Sequence, residues 1–96
     1  MVHVVKDLAE LKSQTSGKPL AIVDFYADWC GPCKTMKPIF EQLAHDHPDI
    51  VFLKVDVDQS GDLASKFNVS GIPSFVIIKN GDVDSPAQQL TGQMSA

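Results

Sequence analysis

Apolar and polar positions follow two periods along the chain, and the changes of period mark its elements. Val2 to Val5 is a short β-prone run. Leu8 and Leu11 then fall at helical spacing behind Asp7, with Glu10 three residues after that capping position, so a helix follows the strand. Gly17-Lys18-Pro19 ends it, and Leu20 to Ala27 is nearly continuously apolar, as a central strand covered on both faces would be. From Pro32 onward Cys33, Met36, Phe40, Leu43, Ala44 and His47 form a one-sided helical stripe closed by Pro48. Pro38 lies inside that stripe and predicts a kink rather than a break. Ile50 to Val57 reads as a second buried strand, and Ser60 as the cap of a short helix carrying Leu63, Ala64 and Phe67. Gly71-Ile72-Pro73 reads as a turn, and Ser74 to Lys79 and Ala87 to Thr91 flank Asn80-Gly81, the strongest short hairpin signal. The order βαβαβαββ predicts an α/β fold with a mixed sheet flanked by helices on both faces.

Composition narrows the picture. The 96 residues, 44% apolar and 21% charged, suit one packed domain over 1–96 with one core and one site. The net charge is −4, every positive side chain is lysine, and no basic cluster occurs, so the field opposes a phosphate backbone or an anionic membrane surface. No basic stretch with a long apolar run opens the chain, so no secretory signal is expected. Apolar stretches are interrupted by Asp24, Lys54 or Lys79, far short of the roughly 18 to 20 residues that span a bilayer. Two cysteines are too few for a disulfide framework, which points to a reducing, cytoplasmic setting and to redox or metal chemistry.

Those cysteines are Cys30 and Cys33, at a strand-to-helix junction. Disulfide exchange needs a thiolate attacker and a second thiol close enough to displace the mixed disulfide that forms. Cys30 would sit where unpaired helix amides and the positive dipole end favour a thiolate, and Cys33 one turn on, facing inward; Cys30 then attacks and Cys33 resolves. Gly31 would let the backbone crowd the sulfurs, and Pro32 fits the first turn, where its missing N–H had no partner. A structural zinc site would need four ligands, and His3, His45 and His47 offer no second ligand pair. His45 and His47 lie two apart, on different helix faces. Asp56-x-Asp58-x-Ser60-Gly61-Asp62 mimics the opening of a calcium loop, but Phe67 stands where a bidentate Glu is needed.

Asp24 interrupts an apolar strand, where burial raises its pKa and suits it to accept the Cys33 proton; an inert, hydrogen-bonded strand-end Asp is the competing reading. Lys54 similarly breaks Val51-Phe52-Leu53 and Val55, and a lysine snorkelling from a strand edge is its plain alternative.

Phe25-Tyr26-Ala27-Asp28-Trp29-Cys30-Gly31-Pro32-Cys33-Lys34 resembles the active-site segment of the thioredoxin family, and the likeness runs from about Val2 to Gly92, with further matches at Gly71-Ile72-Pro73 and Lys79-Asn80-Gly81. The resemblance implies a thioredoxin fold and a protein-disulfide reductase, since Gly-Pro between the cysteines is similar to the reducing members, whereas disulfide isomerases usually carry Gly-His and glutaredoxins Pro-Tyr. It implies that Asp24 is the buried active-site Asp, that Lys54 is its paired lysine, and that Pro73 is the family's cis-proline beside the disulfide. An ordinary turn proline is the alternative for Pro73. Trp29, Gly71 and Ile72, with Gly31 and Pro32, would form the rim on which a target docks, simple packing being the alternative for Trp29. Tyr26 stands where many relatives carry a second tryptophan, a departure given little weight in the chemistry.

The same resemblance implies no bound cofactor: the Cys30–Cys33 disulfide is recharged from NADPH through a thioredoxin reductase, and the partners are that reductase and disulfide-containing proteins. The family ends with a helix covering one sheet face, which this sequence is expected to lack after Gly92; self-association through the uncovered face, an exchanged element or a further C-terminal piece would cover it. The competing function is a redox-gated binding module whose partner is held only while the cysteines are reduced.

Overall fold

A computed structural model describes residues 1–91. The chain runs β1 (Val2–Val4), α1 (Leu8–Thr15), β2 (Leu20–Tyr26), α2 (Gly31–Asp46), β3 (Val51–Asp56), α3 (Gly61–Lys66), β4 (Ser74–Lys79) and β5 (Gln88–Thr91). Asp7 caps α1 by accepting the Glu10 N–H at 2.8 Å, and Glu10 reaches back to accept the Lys6 N–H at 2.8 Å. α2 continues through Pro38 to Asp46.

The strands form one mixed sheet in the order β1-β3-β2-β4-β5, with β2 parallel to β3 and antiparallel to β4. Alternation then sorts side chains between two faces. Val23 and Phe25 of β2, Leu53 and Val55 of β3, and Val76 and Ile78 of β4 join Leu11, Leu63 and Phe67 under α1 and α3. Ile22, Phe52 and Phe75 point to the other face, where Phe40 and Ala44 of α2 lie, with the Phe40 and Phe52 rings edge-on at 5.2 Å. The predicted layers therefore form, with helices on both faces of a mixed sheet.

Local details differ from expectation for identifiable reasons. The α2 stripe is narrower than its spacing suggested: Phe40 and Ala44 are buried, whereas Leu43 is 40% exposed and His47 exposed. Ser60 occupies the N-cap position of α3, yet its hydroxyl donates to the Lys6 carbonyl at 2.8 Å and ties α3 to the end of β1 instead of capping. Asn80 and Gly81 do form a tight turn, both at positive φ, with the Asp82 N–H donating to the Lys79 carbonyl at 3.1 Å. As the expected start of the last strand at Ala87 requires, a loop over 82–86 then follows, anchored by buried Val83 and by a Lys66–Asp84 ion pair at 2.9 Å, before Gln88 pairs with Ile77. The expected absence of a final helix concerns residues outside the described ones.

Gly81 and Gly17 both adopt left-handed backbone, at φ 73° and 72°. A Cβ on Gly81 would stand 3.1 Å from the Thr15 carbonyl oxygen, whereas one on Gly17 meets nothing within 4 Å. Gly17→Ala is expected to cost about 1 kcal/mol from backbone strain alone, and Gly81→Ala visibly more, about 2 kcal/mol or above. Urea unfolding of the two variants checks this ranking; equal losses would show that the Thr15 contact carries no weight.

Candidate active site

The β2-to-α2 junction places the cysteines. Cys30 is the N-cap of α2, in extended backbone, and its Sγ accepts the Cys33 N–H at 3.2 Å. The two residues form a disulfide with a Cα–Cα distance of 5.2 Å. An anion at Cys30 Sγ would thus meet an amide donor and the positive end of a sixteen-residue helix. Both cysteines are buried, with Ala27, against Tyr26, Val57 and Ile72. Pro32 sits in the first turn as expected. Gly31 is exposed, and a Cβ there would meet nothing within 4 Å, so crowding at the sulfurs does not explain the glycine.

Asp24 stands mid-strand on β2, opposite Lys54 of β3 and Phe75 of β4, and is 5% exposed. Its Oδ1 has no hydrogen-bond partner among the described residues. Burial pushes the carboxyl up from 3.8 to about 6, and the positive charge of Lys54 pulls more weakly the other way. Asp24, Cys33, Lys54, Tyr26, Lys37 and Glu41 line a cavity of about 320 Å³. It has room for several waters, so a proton can pass between Cys33 and Asp24 without direct contact. Lys54 is half-buried, and its ammonium makes no ion pair within 4 Å of Asp24; it lies 5.1 Å from the centre of the Tyr26 ring.

The third part of the site is its rim. Trp29 is 68% exposed, and its Nε1–H donates to Asp58 Oδ2 at 2.8 Å. An aromatic surface held in place by a buried or bridging partner loses little freedom when another protein covers it. Ile72 packs half-buried against the disulfide, the Ile72–Pro73 peptide is cis, Pro73 is buried, and the Gly71 carbonyl accepts the Ser74 hydroxyl. The fold thus gathers Trp29, Cys30, Cys33 and Ile72 at one end of the sheet, with Asp24 and Lys54 behind them.

Asp58 was not anticipated in this role. Asp56 Oδ1 accepts the Asp58 N–H at 2.9 Å and Asp58 accepts from Trp29, so the carboxylates that mimic a calcium loop serve the loop and the tryptophan. Lys37 was also missed, although its spacing of four from Cys33 places the two on neighbouring turns of one helix face.

Because Asp24 binds its proton more tightly folded than unfolded, its contribution to stability is full below about pH 3.8 and disappears as pH rises through about 6. Asp24→Asn removes that loss. The oxidised variant is expected to exceed the parent by about 3 kcal/mol at pH 8 and to match it closely at pH 3.5. Denaturant titration at the two pH values checks this; an equal gain at both would mean that ionisation is not the cause.

The family model for thioredoxin matches residues 2–96. The chain is 46% identical over 82 residues to thioredoxin-1 of Schizosaccharomyces pombe and 44% identical over 84 residues to thioredoxin of Ophiophagus hannah, in each case covering 85% of this chain and 80% of the relative. A solved Plasmodium falciparum thioredoxin superposes with a TM-score of 0.85 at 40% identity, over 94% of this chain and 85% of that one. With a disulfide at the head of α2 and a buried carboxyl behind it, this chain belongs to the thioredoxin family.

Proposed function

We propose that the chain is a protein-disulfide reductase that cycles between the Cys30/Cys33 dithiol and disulfide. The observation that carries this is a disulfide in which the Cys30 sulfur caps a helix while Cys33 lines a cavity with a carboxyl shifted to about 6. The Cys30 thiolate attacks one sulfur of a target disulfide, forming the Cys30–target bond and expelling the other target sulfur as a thiolate. The Asp24 carboxylate takes the Cys33 proton, and the Cys33 thiolate attacks Cys30 Sγ. The Cys30–Cys33 bond forms, the second target thiolate leaves, and two electrons have passed to the target.

Trp29, Ile72 and Gly71 offer the docking rim, with buried Pro73 supporting it through its backbone and Gly31 and Pro32 exposed beside them. The exchange needs no prosthetic group. Recharging falls to a two-electron donor, which we assign to an NADPH-dependent thioredoxin reductase, in a reducing compartment such as the cytoplasm. No described helix is long and apolar enough to cross a membrane. On the α2 face of the sheet, Leu90 is 49% exposed beside its β4 partner Phe75, with Ile39 and Leu43 of α2 also exposed; self-association through this face is the use we propose for it.

Catalysed insulin reduction by dithiothreitol separates turnover from redox-gated binding. Parent protein is expected to accelerate it over many turnovers, Cys30→Ser to give only the rate of the reductant, and Cys33→Ser to accumulate a mixed disulfide visible by intact mass. Stoichiometric binding to reduced protein without acceleration would favour the binding module. In stopped flow, Asp24→Asn is expected to slow the Cys33 step by about tenfold or more while leaving Cys30 attack nearly unchanged; equal slowing of both steps would remove Asp24 from the mechanism. Sedimentation should show concentration-dependent dimers, which Leu90→Lys weakens; a concentration-independent monomer would discard the proposed self-association.

A further inference from the structure

Asp24 and Tyr26 are two apart on β2, and Lys54 and Asp56 two apart on β3, in parallel register Asp24 to Lys54 and Tyr26 to Asp56. Alternation therefore puts all four on the α2 face, with Lys54 beside Asp24 and diagonal to Tyr26. A half-buried ammonium next to a carboxylate whose Oδ1 is buried and unpartnered has an obvious ion pair available. It does not make one. Its Nζ lies against the Tyr26 ring, 5.1 Å from the centroid, where the negative face of an aromatic ring holds a cation without neutralising it.

We propose that Tyr26 is a positioning residue of the resolving step: its ring holds the Lys54 ammonium and keeps it from closing onto the Asp24 carboxylate. This rests on Asp24 being the proton acceptor for Cys33. Such an acceptor must hold and release a proton near the working pH, whereas a contact ion pair would fix it as an anion and weaken it as a base. Lys54 at the ring lowers the proton affinity of Asp24 only partly, so burial still prevails. Other charges face the same cavity: Asp28 beyond β2, and Lys34, Lys37 and Glu41 on α2. From β4 the neighbour is Phe75, which carries no charge, and Asp56 of β3 is the register partner of Tyr26, close enough to raise the phenol's pKa.

The test follows the Asp24 carboxyl by NMR titration of the oxidised protein in four variants. Tyr26→Phe retains the ring and is expected to titrate like the parent. Tyr26→Leu is expected to lower the midpoint by about 1 in pH, as Lys54 closes onto the carboxylate. Lys54→Met is expected to raise the midpoint, and Tyr26→Leu added to it to produce no fall. Should Tyr26→Leu fold poorly, pentafluorophenylalanine at position 26 keeps the ring's shape, inverts its field and should reproduce the fall. An unchanged midpoint in the ring-altered protein, a rise, or a fall that persists without Lys54 overturns the proposal; the last would mean that solvent entry, not the lysine, is responsible. The pH midpoint of the Cys33 step should move acid in parallel with the carboxyl. If Asp24→Asn leaves that kinetic profile untouched, the acceptor role fails, while the titration still decides whether Tyr26 holds Lys54 away.

Discussion

Asp24 is buried between Val23 and Phe25 on a strand paired on both sides, so its ionisation is opposed by the same apolar packing that holds the sheet together. Moving it to an edge would solvate it, and moving it along the strand by one residue would turn it to the face of Leu11 and Phe67 and away from Cys33. The site therefore depends on register. The β2–β3 pairing sets Asp24 beside Lys54, and the continuation of β2 into α2 sets Cys33 over the same cavity. A carboxyl that would be solvated and acidic on the surface is raised to about 6 by its place in the sheet, which suits the base role proposed for it.

The two cysteines receive opposite treatment from one helix. Cys30, at its head, has an amide donor and the dipole's positive end; Cys33, three residues on and equally buried, lines the cavity that Asp24 lines. The proposed attack and resolution would draw on different devices, a helix terminus for one and a buried carboxyl for the other, and the Cys-x-x-Cys spacing reaches both. Lys54 joins them through charge at a distance, since its ammonium rests on Tyr26.

Much of this was legible because local chemistry and global position agreed. Continuous apolar runs marked β2 and β3, Asp7 with Glu10 marked the head of α1, and a polar residue inside each buried run exposed Asp24 and Lys54. What could not be read depended on contacts between segments distant in the chain. Ser60 has a capping residue's identity, but Lys6 lies fifty-four residues away in sequence and takes its hydroxyl. Asn80-Gly81 gave the turn and the start of the last strand near Ala87 gave the longer loop, but not its anchors, buried Val83 and the Lys66–Asp84 pair. Asp58 looked like part of a failed metal loop until the fold brought Trp29 to it.

The rim follows the same logic. Trp29 precedes Cys30, Asp58 follows β3, and Ile72 precedes β4, so the surface around the disulfide is built from three connections at one end of the sheet. Two of these have their own anchors: Asp58 fixes the indole, and the Ser74 hydroxyl bonds the Gly71 carbonyl. The docking rim proposed here would therefore be ordered in part before a target arrives, and less of the binding energy would be consumed in ordering it. A reductase that must release each reduced target gains from that arrangement. In the proposed cycle affinity would come from a small prearranged patch, and the bond that commits the target would be the covalent one that Cys33 breaks.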